Sequence, residues 1–148
     1  MGFDTLKERY PRLIPAGLRF ECGTGWEGIL ERYFAEVEAI LPEDSDLGLK
    51  GVFEKYGTLN IEAWPRNASQ DIVDRIEVRG YVAESRSART CETCGRPGQK
   101  RGRSYIFVAC DDHSEGAPSL PEDYGTYGGI YAYDPGIDDV VAVPAEEQ

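Results

Sequence analysis

The chain has 148 residues, a length typical of one domain, and 41% of them are hydrophobic, which is enough for a real core. No apolar run approaches the roughly 20 residues of a membrane-spanning helix, and the first residues lack the apolar region of a secretory signal, so we expect a cytoplasmic protein. The net charge of −11 opposes long-range attraction to DNA, so a small nucleotide is favoured over DNA as an anionic ligand.

The first third of the chain predicts one strong helix. Residues 1–20 are expected to be irregular, with a short helical turn near Leu6, because two prolines interrupt any longer helix. From Trp26 to Leu41, apolar residues recur at helical spacing and charged residues fall on the other face. Thr24 and Glu27 have the spacing of a capping box, in which each side chain would satisfy a backbone N–H of the other residue.

A hairpin and a second helix follow. Residues 58–63 alternate apolar and polar side chains, which is the pattern of a strand with one wet face, and Val52 to Tyr56 is expected to pair with them across a turn at Gly57. The second helix is predicted from Ser69 to Ser85, capped by Ser69 or Asn67. Its predicted buried stripe consists of Ile72, Val73, Ile76, Gly80 and Ala83. The glycine in this stripe indicates close packing at that position, because glycine costs stability in a helix.

Three cysteines and the single histidine then form a metal-binding pattern. Two-residue gaps within each pair and fifteen residues between the pairs let four side chains converge on one tetrahedral ion. Gly95 allows a positive φ in the turn after the second cysteine, so that backbone N–H groups can point at the sulfurs. Residues 104–109 predict a short strand that leads into the second pair. The pattern predicts one structural Zn²⁺, closed by protein ligands alone, at Cys91, Cys94, Cys110 and His113.

Two other interpretations of the cysteines remain open at this point. Cys91 and Cys94 have the spacing of a redox pair, although such a pair is normally found in a βαβ unit without a second ligand pair. Cys22 is a further candidate ligand that would leave His113 free. We expect Cys22 instead to be a small buried hydrophobic residue, because free cysteine is among the most buried residue types.

Charge is unevenly distributed around the metal motif. From Glu84 to Arg103 there are six basic residues and two acidic ones, whereas ten acidic residues and no basic ones follow Arg103. The basic stretch either pairs with the acidic tail within one fold or binds an anion such as a nucleotide or a nucleic-acid backbone. The candidate anion-binding residues are Arg89, Arg96, Lys100, Arg101 and Arg103.

The acidic tail is rich in tyrosine and glycine. Its tyrosines are interpreted either as a strand and turn packed on the domain or as an exposed contact surface, where tyrosine is favoured. Val140 to Val143 predicts a final strand. The candidate contact aromatics are Tyr124, Tyr127, Tyr131 and Tyr133.

The usual catalytic patterns are missing from the sequence. If its single histidine, His113, binds the metal, it is not available as the general base of a Ser-His or Cys-His nucleophile. There is no phosphate-binding loop and no His-x-Glu deaminase motif. A carboxylate-dependent hydrolase that uses the adjacent Asp111 and Asp112 remains as an alternative, although such acids more often orient a ligand or lie on a solvated turn.

Three blocks of sequence resemble a family of uncharacterised small proteins encoded by phages and prophages. FECGTGW is similar to the family's Cys-Gly-x-Gly-Trp, and VFEKYGTLNIEA to its Lys-Glu-Lys-Phe-Gly-Thr-Leu strand motif. The third block is AESRSARTCETCGRPGQKR followed by Cys110 and His113. The resemblance, which spans about residues 19–113, implies zinc binding and a compact α+β domain but no established activity. This chain departs from the family in a less basic strand block and in its tyrosine-rich acidic tail.

Together these observations predict a single zinc-stabilised α+β domain over 1–148, with 1–20 and 134–148 partly irregular. Two helices pack on a small antiparallel sheet, and a zinc knuckle leads to an acidic, Tyr/Gly-rich C-terminal extension. The expected function is non-catalytic binding of a host, defence or phage component in a bacterial host cell. The alternatives are a zinc knuckle that binds or sequesters a nucleotide or nucleic acid, and a carboxylate-dependent hydrolase. The partner is unknown, no membrane is expected, and a homo-oligomer is one of the options.

Overall fold

The computed structural model describes residues 2–122, 126–127 and 130–144. Within them it has three helices, α1 (Phe3–Arg9), α2 (Glu27–Ile40) and α3 (Gln70–Ser87). The α+β class is confirmed, and α2 and α3 correspond to the two predicted helices. The third helix, α1, lies where a short helical turn is predicted near Leu6, and it buries that residue.

The first sheet contains the predicted hairpin. Strands β2 (Leu49–Lys55) and β3 (Thr58–Ala63) are antiparallel, and the short strand β1 (Phe20–Glu21) adds to β2 in parallel. The turn between β2 and β3 has positive φ at Tyr56 (51°) and Gly57 (85°). A two-residue turn of that kind matches the twist of the strands it joins, which explains the glycine.

The main core lies between α2, α3 and this sheet. Its fully buried side chains include Trp26 and Phe34 at α2 together with Val52 and Leu59 of the sheet. The apolar spacing along α2 predicts which face of this helix is buried. The prediction is confirmed, because the buried residues of α2 are Ile29, Leu30, Tyr33, Phe34 and Val37. Among the described residues, no helix has both the length and the apolar character needed to cross a lipid bilayer.

Two local predictions in the helices are wrong. Thr24 and Glu27 do not form a capping box, because residues 24–26 form a 3₁₀ turn and no side chain caps α2. Gly80 is not closely packed, since a Cβ built there would meet nothing within 4 Å. The predicted cap of α3 is confirmed: the Ser69 Oγ accepts a hydrogen bond from the Ile72 N–H at 3.3 Å.

The remaining strands form two small sheets. The hairpin of β4 (Gln99–Gly102) and β5 (Ile106–Ala109) lies between the two pairs of candidate metal ligands. Near the C-terminus, β6 (Thr126–Tyr127), β7 (Tyr131–Asp134) and β8 (Asp139–Ala142) form an antiparallel sheet. The predicted final strand is β8.

Ion pairs join the C-terminal sheet to the helices. The Arg79 guanidinium of α3 lies 2.8 Å from Glu36 of α2 and 2.9 Å from Asp139 of β8. Arg86, also on α3, pairs with Glu36 at 3.4 Å and with Asp138 at 3.1 Å. The tail acids therefore neutralise arginines of the helices, as the interpretation of charge pairing within one fold expects.

We expect the contact of Asp138 with α3 to weaken in acid. Burial alone would raise the pKa of Asp138, but hydrogen bonds from Tyr133 and Arg86 outweigh it, so this pKa lies below its usual range. Because the folded pKa is depressed, the contribution to stability is present above the unfolded pKa of about 4 and is lost as the pH falls through the folded pKa.

The test compares the wild type with Asp138→Asn, since asparagine tolerates the positive φ of 53° at this position. Urea unfolding across a pH series is expected to show the variant less stable near neutrality, with the difference shrinking below about pH 4. Two stability curves that stay parallel over the series would contradict the prediction.

Candidate metal centre

The four predicted ligands lie together. Cys91 and Cys94 lie on the turn after α3, Cys110 follows β5 and His113 ends a short 3₁₀ turn. Their ligand atoms all lie within 4.8 Å of one another. Cys91 is fully buried and Cys110 nearly so, packed with Ala109 in a small cluster of their own.

The distances between these atoms fit a tetrahedral ion. With Zn–S near 2.3 Å and Zn–N near 2.0 Å, an ideal tetrahedron has S···S edges of about 3.8 Å and S···N edges of about 3.5 Å. The Cys94 Sγ lies 3.7 Å from the Cys110 Sγ. The His113 Nδ1 lies 3.7 Å from the Cys91 Sγ and 3.2 Å from the Cys110 Sγ. The four residues therefore could hold one metal ion with His113 bound through Nδ1.

The backbone of the turn holds the first cysteine pair in place. The Gly95 N–H donates to the Cys91 carbonyl at 2.9 Å, and the Cys91 N–H donates to the Arg96 carbonyl at 2.8 Å. Gly95 has φ +82°, which glycine adopts without steric cost. The backbone N–H of Arg96 lowers the pKa of the Cys94 thiol, and the N–H groups of Asp112 and His113 act in the same direction on the pKa of Cys110. These effects are in the direction that backbone N–H groups directed at the sulfurs would produce.

The Arg96 side chain supplies positive charge to the sulfurs. Its Nε lies 3.4 Å from the Cys94 Sγ and its Nη2 lies 3.6 Å from the Cys110 Sγ. The hydrogen bond from Arg96 lowers the pKa of the Cys94 thiol to about 6. Cys94 is therefore biased toward the thiolate, which is the form that binds a metal.

Cys22 lies outside this cluster. It is partly buried against the main core, and burial raises the pKa of its thiol to about 12. A neutral thiol packed among apolar side chains is the role expected for it, and the ligand set that comes together contains His113 rather than Cys22.

The knuckle, defined here as residues 90–98, is attached to the start of α2 through backbone contacts. The Gly25 N–H donates to the Glu92 carbonyl at 2.8 Å, and the Gly23 N–H donates to the Glu92 carboxylate at 2.8 Å. The indole N–H of the buried Trp26 donates to the Thr90 carbonyl at 2.9 Å. Both glycines lie directly against the knuckle and leave no room for a side chain. A Cβ built on Gly23 would lie 2.4 Å from the Glu92 carbonyl oxygen, and one built on Gly25 would lie 2.2 Å from the Cys91 carbonyl oxygen.

This role of Gly23, Gly25 and Glu92 is not among the predictions made from the sequence. The signal that was present is the pair of glycines directly before a buried tryptophan in CGTGW. Two such glycines indicate a place where another backbone approaches closely. The structure identifies that backbone as the knuckle.

The candidate anion-binding residues are placed in several different contacts. Arg96 pairs with Asp112 at 2.8 Å in addition to its sulfur contacts. Arg101 is buried and donates to the carbonyls of Ala109 and Ala117. Arg103 donates to the Glu115 carbonyl, Arg89 donates to the Tyr133 hydroxyl at 3.3 Å, and Lys100 lies on β4. At least Arg96 and Arg101 therefore serve the structure around the metal motif, whether or not the group also binds an anion.

The two adjacent carboxylates beside His113 are also paired. Asp111 lies 2.9 Å from Arg101, and Asp112 lies 2.8 Å from Arg96. The hydrogen bond from Arg96 holds the pKa of Asp112 below its usual range. Each carboxylate faces its own arginine, so both support the turn that carries His113.

We expect Arg101→Ala to destabilise the fold by about 2 kcal/mol, because it leaves two buried carbonyls without their donors. The exposed Arg103 provides the matched control, and Arg103→Ala should change the stability by no more than about 0.5 kcal/mol. Chemical unfolding of both variants with zinc present measures the difference. Equal effects of the two substitutions would argue against a structural role for Arg101.

The tail tyrosines within the described residues pack on the domain. Tyr127 stacks on Tyr81 of α3 at 4.5 Å, and its hydroxyl lies 2.5 Å from the Ser85 Oγ. Tyr133 is buried and donates to Asp138 at 2.6 Å, whereas Tyr131 is half-buried. These contacts favour the packed interpretation over a free contact surface. Tyr124 lies outside the described residues.

Comparison with known proteins adds no relative. The chain matches no protein-family model, no curated protein and no solved structure. The function is therefore inferred from the geometry of this chain.

Proposed function

We propose that this chain is a non-catalytic, zinc-stabilised binding protein. The observation that carries the proposal is the donor set of three sulfurs and one imidazole nitrogen, all from one chain, at separations that fit a tetrahedral ion. Thiolate and imidazole donors in this geometry favour zinc over magnesium or calcium. When four protein donors fill the coordination sphere, the metal supplies folding energy and leaves no position for a reacting water.

We further propose that the protein is of the phage or prophage type and binds a host, defence or phage component in the bacterial cell. Support comes from the three sequence blocks that resemble that family. Two of them are in direct contact here, since Gly23 and Gly25 of the first block bind Glu92 of the third. Blocks that form one structural unit are expected to occur together in the same order.

Cobalt substitution tests the closed metal site directly. Co²⁺ replaces zinc in tetrahedral sites, and its visible spectrum reports the coordination number and the ligands. We expect a spectrum typical of thiolate ligation that stays unchanged when azide or cyanide is added. A spectrum that shifts with added anion would reveal an open position and overturn the non-catalytic proposal, as would turnover of nucleotide or peptide substrates at enzyme-like rates.

Native mass spectrometry of protein purified from its own host cell tests the binding role. The expected result is one zinc per chain together with a stoichiometric partner or ligand. The same measurement reports whether the chain forms a homo-oligomer. Purified protein that carries well under one zinc per chain would contradict the proposal that zinc stabilises the fold.

Binding of a nucleotide is the second candidate function. The observation that favours it is a groove of about 990 Å³ beside the knuckle, whose lining includes four arginines: Arg9, Arg32, Arg86 and Arg89. Its lining also includes acidic residues that pair with some of these arginines, among them Glu31 and Asp138. A labelled nucleotide should bind with an affinity that falls as salt rises, and absence of binding at low salt would remove this candidate.

A further inference from the structure

A second groove lies between β3 and α3, and none of its lining residues is a metal ligand. Its volume is about 630 Å³. Apolar side chains line it, among them Ile61 of β3 and Ile76 of α3. Trp64, which also lines the groove, is 73% exposed, an unusual position for so large an apolar side chain. The groove thus combines an apolar lining with an exposed aromatic side chain, as binding surfaces often do.

One wall of the groove is the edge of a sheet. Strand order β1-β2-β3 leaves one edge of β3 unpaired with any strand in the described structure. The Leu59 N–H donates to the Ser87 Oγ rather than to β2, so the backbone groups of Leu59 point to this edge. Along an antiparallel strand, the backbone N–H and C=O groups of successive residues point alternately to the two sides of the strand. Those of Ile61, two residues after Leu59, therefore point to this edge too. No backbone group outside the sheet pairs with Ile61 among the described residues, so its N–H and C=O are available to an added strand.

The opposite wall is opened by Gly80. This glycine lines the groove from the middle of α3, and a Cβ built on it would meet nothing within 4 Å. Glycine weakens a helix interior relative to alanine, and neither backbone conformation nor packing requires it here. The missing side chain instead leaves room in the groove.

The lining is acidic. It includes Glu77 and Glu84 of α3 and no lysine or arginine. The two carboxylates are two helical turns apart on the face that carries Gly80, so they flank the open position. Glu84 is half-buried, and burial raises the pKa of its carboxyl group. Lys100 and the Tyr127 hydroxyl act in the opposite direction on this pKa, and a further cation that enters beside Gly80 would add to their stabilisation of the carboxylate.

We propose that this groove binds an extended, lysine- or arginine-bearing peptide segment of a partner protein, which adds to β3 at Ile61 and places a cationic side chain between Glu77 and Glu84. Backbone pairing with a free edge provides affinity, and the groove selects the side chains. The inference deepens the proposed binding function and rests on it. It does not use the metal centre, so the two proposals can fail separately.

The test uses two capped octapeptides, one of alternating valine and lysine and one of alternating valine and glutamate, with the full zinc-loaded chain. Binding is followed by fluorescence, since Trp64 is exposed and the other tryptophan, Trp26, is buried. We expect the lysine peptide to bind about tenfold or more tightly than the glutamate peptide, to shift the Trp64 emission to shorter wavelength and to slow hydrogen exchange of the Ile61 amide.

Variants separate the groove from general attraction to an acidic protein. Gly80→Leu should lower the affinity for the lysine peptide about tenfold, and Gly80→Ala should lower it less while raising the melting temperature. Glu84→Gln should also weaken binding, whereas Glu43→Gln, which removes an exposed charge outside the groove, should not.

Absence of binding by the lysine peptide would overturn the inference. Binding that leaves the Ile61 amide unprotected and is insensitive to Gly80→Leu would overturn it as well, because it would reflect surface charge alone. If cobalt spectra revealed an open metal position while the peptide results were as expected, the groove would stand and the non-catalytic proposal would fail.

Discussion

Replacing Cys91 by serine is expected to abolish stoichiometric metal binding and to unfold at least the C-terminal half of the chain. Cys91 is fully buried, and its sulfur lies 3.7 Å from the His113 Nδ1 in the donor cluster. Structural zinc contributes about 10–16 kcal/mol of apparent binding free energy in small zinc domains, whereas a whole domain is stable by only about 5–15 kcal/mol. The loss of one thiolate therefore removes an energy comparable with the net stability.

Two measurements on purified protein check this prediction: zinc per chain by elemental analysis, and thermal unfolding followed by circular dichroism. Cys22→Ala is the matched control, because Cys22 lies outside the donor cluster and should leave the zinc content unchanged. A chelator added to the wild type should reproduce the effect of Cys91→Ser. A Cys91→Ser protein with full zinc content and an unchanged melting temperature would contradict the assignment.

The substitution Gly25→Ala is expected to destabilise the fold by about 3 kcal/mol, although it adds only one methyl group. The new Cβ would lie 2.2 Å from the Cys91 carbonyl oxygen and 2.5 Å from the backbone of Glu92. Backbone atoms cannot move aside as a flexible side chain can. The knuckle would have to separate from α2, which breaks the hydrogen bond from the Gly25 N–H to the Glu92 carbonyl.

Gly28→Ala is the matched control for this prediction, since it lies three residues further along and its Cβ would meet nothing within 4 Å. We expect it to change stability by no more than about 0.5 kcal/mol. Urea unfolding of both variants measures the difference, and the zinc affinity of Gly25→Ala should fall as well because the knuckle loses its support. Similar stabilities for the two alanine variants would show that the contact between the blocks is unimportant.

Several elements of the fold could be predicted because their signals are local. The apolar spacing of α2 and the alternation of β3 each lie within one short stretch, and both elements are observed. The hairpin turn at Gly57 and the Ser69 cap of α3 depend on a few adjacent residues. Backbone geometry alone restricts such patterns to a helix or a strand.

Other features were outside the reach of these local signals. The capping box at Thr24 was predicted from a spacing that fits, but contacts of Gly23 and Gly25 with the knuckle hold this segment as a 3₁₀ turn. Gly80 was interpreted as a packing site, and only the position of β3 relative to α3 shows that it faces a groove. A local pattern contains no information on which distant segment lies next to it.

The sequence by itself indicated the four candidate metal ligands, because a Cys-x-x-Cys and a Cys-x-x-His at the observed separation can reach one ion whatever the rest of the chain does. Only the structure places His113, rather than Cys22, beside the other three cysteines. The tertiary structure alone decided where that knuckle is attached, which arginines are buried, and which edge of the sheet stays open. These features depend on contacts between residues far apart in the chain, such as Gly23 and Glu92, which are 69 positions apart. Such contacts form only when the packing of the whole core compensates for the entropy lost in closing long loops.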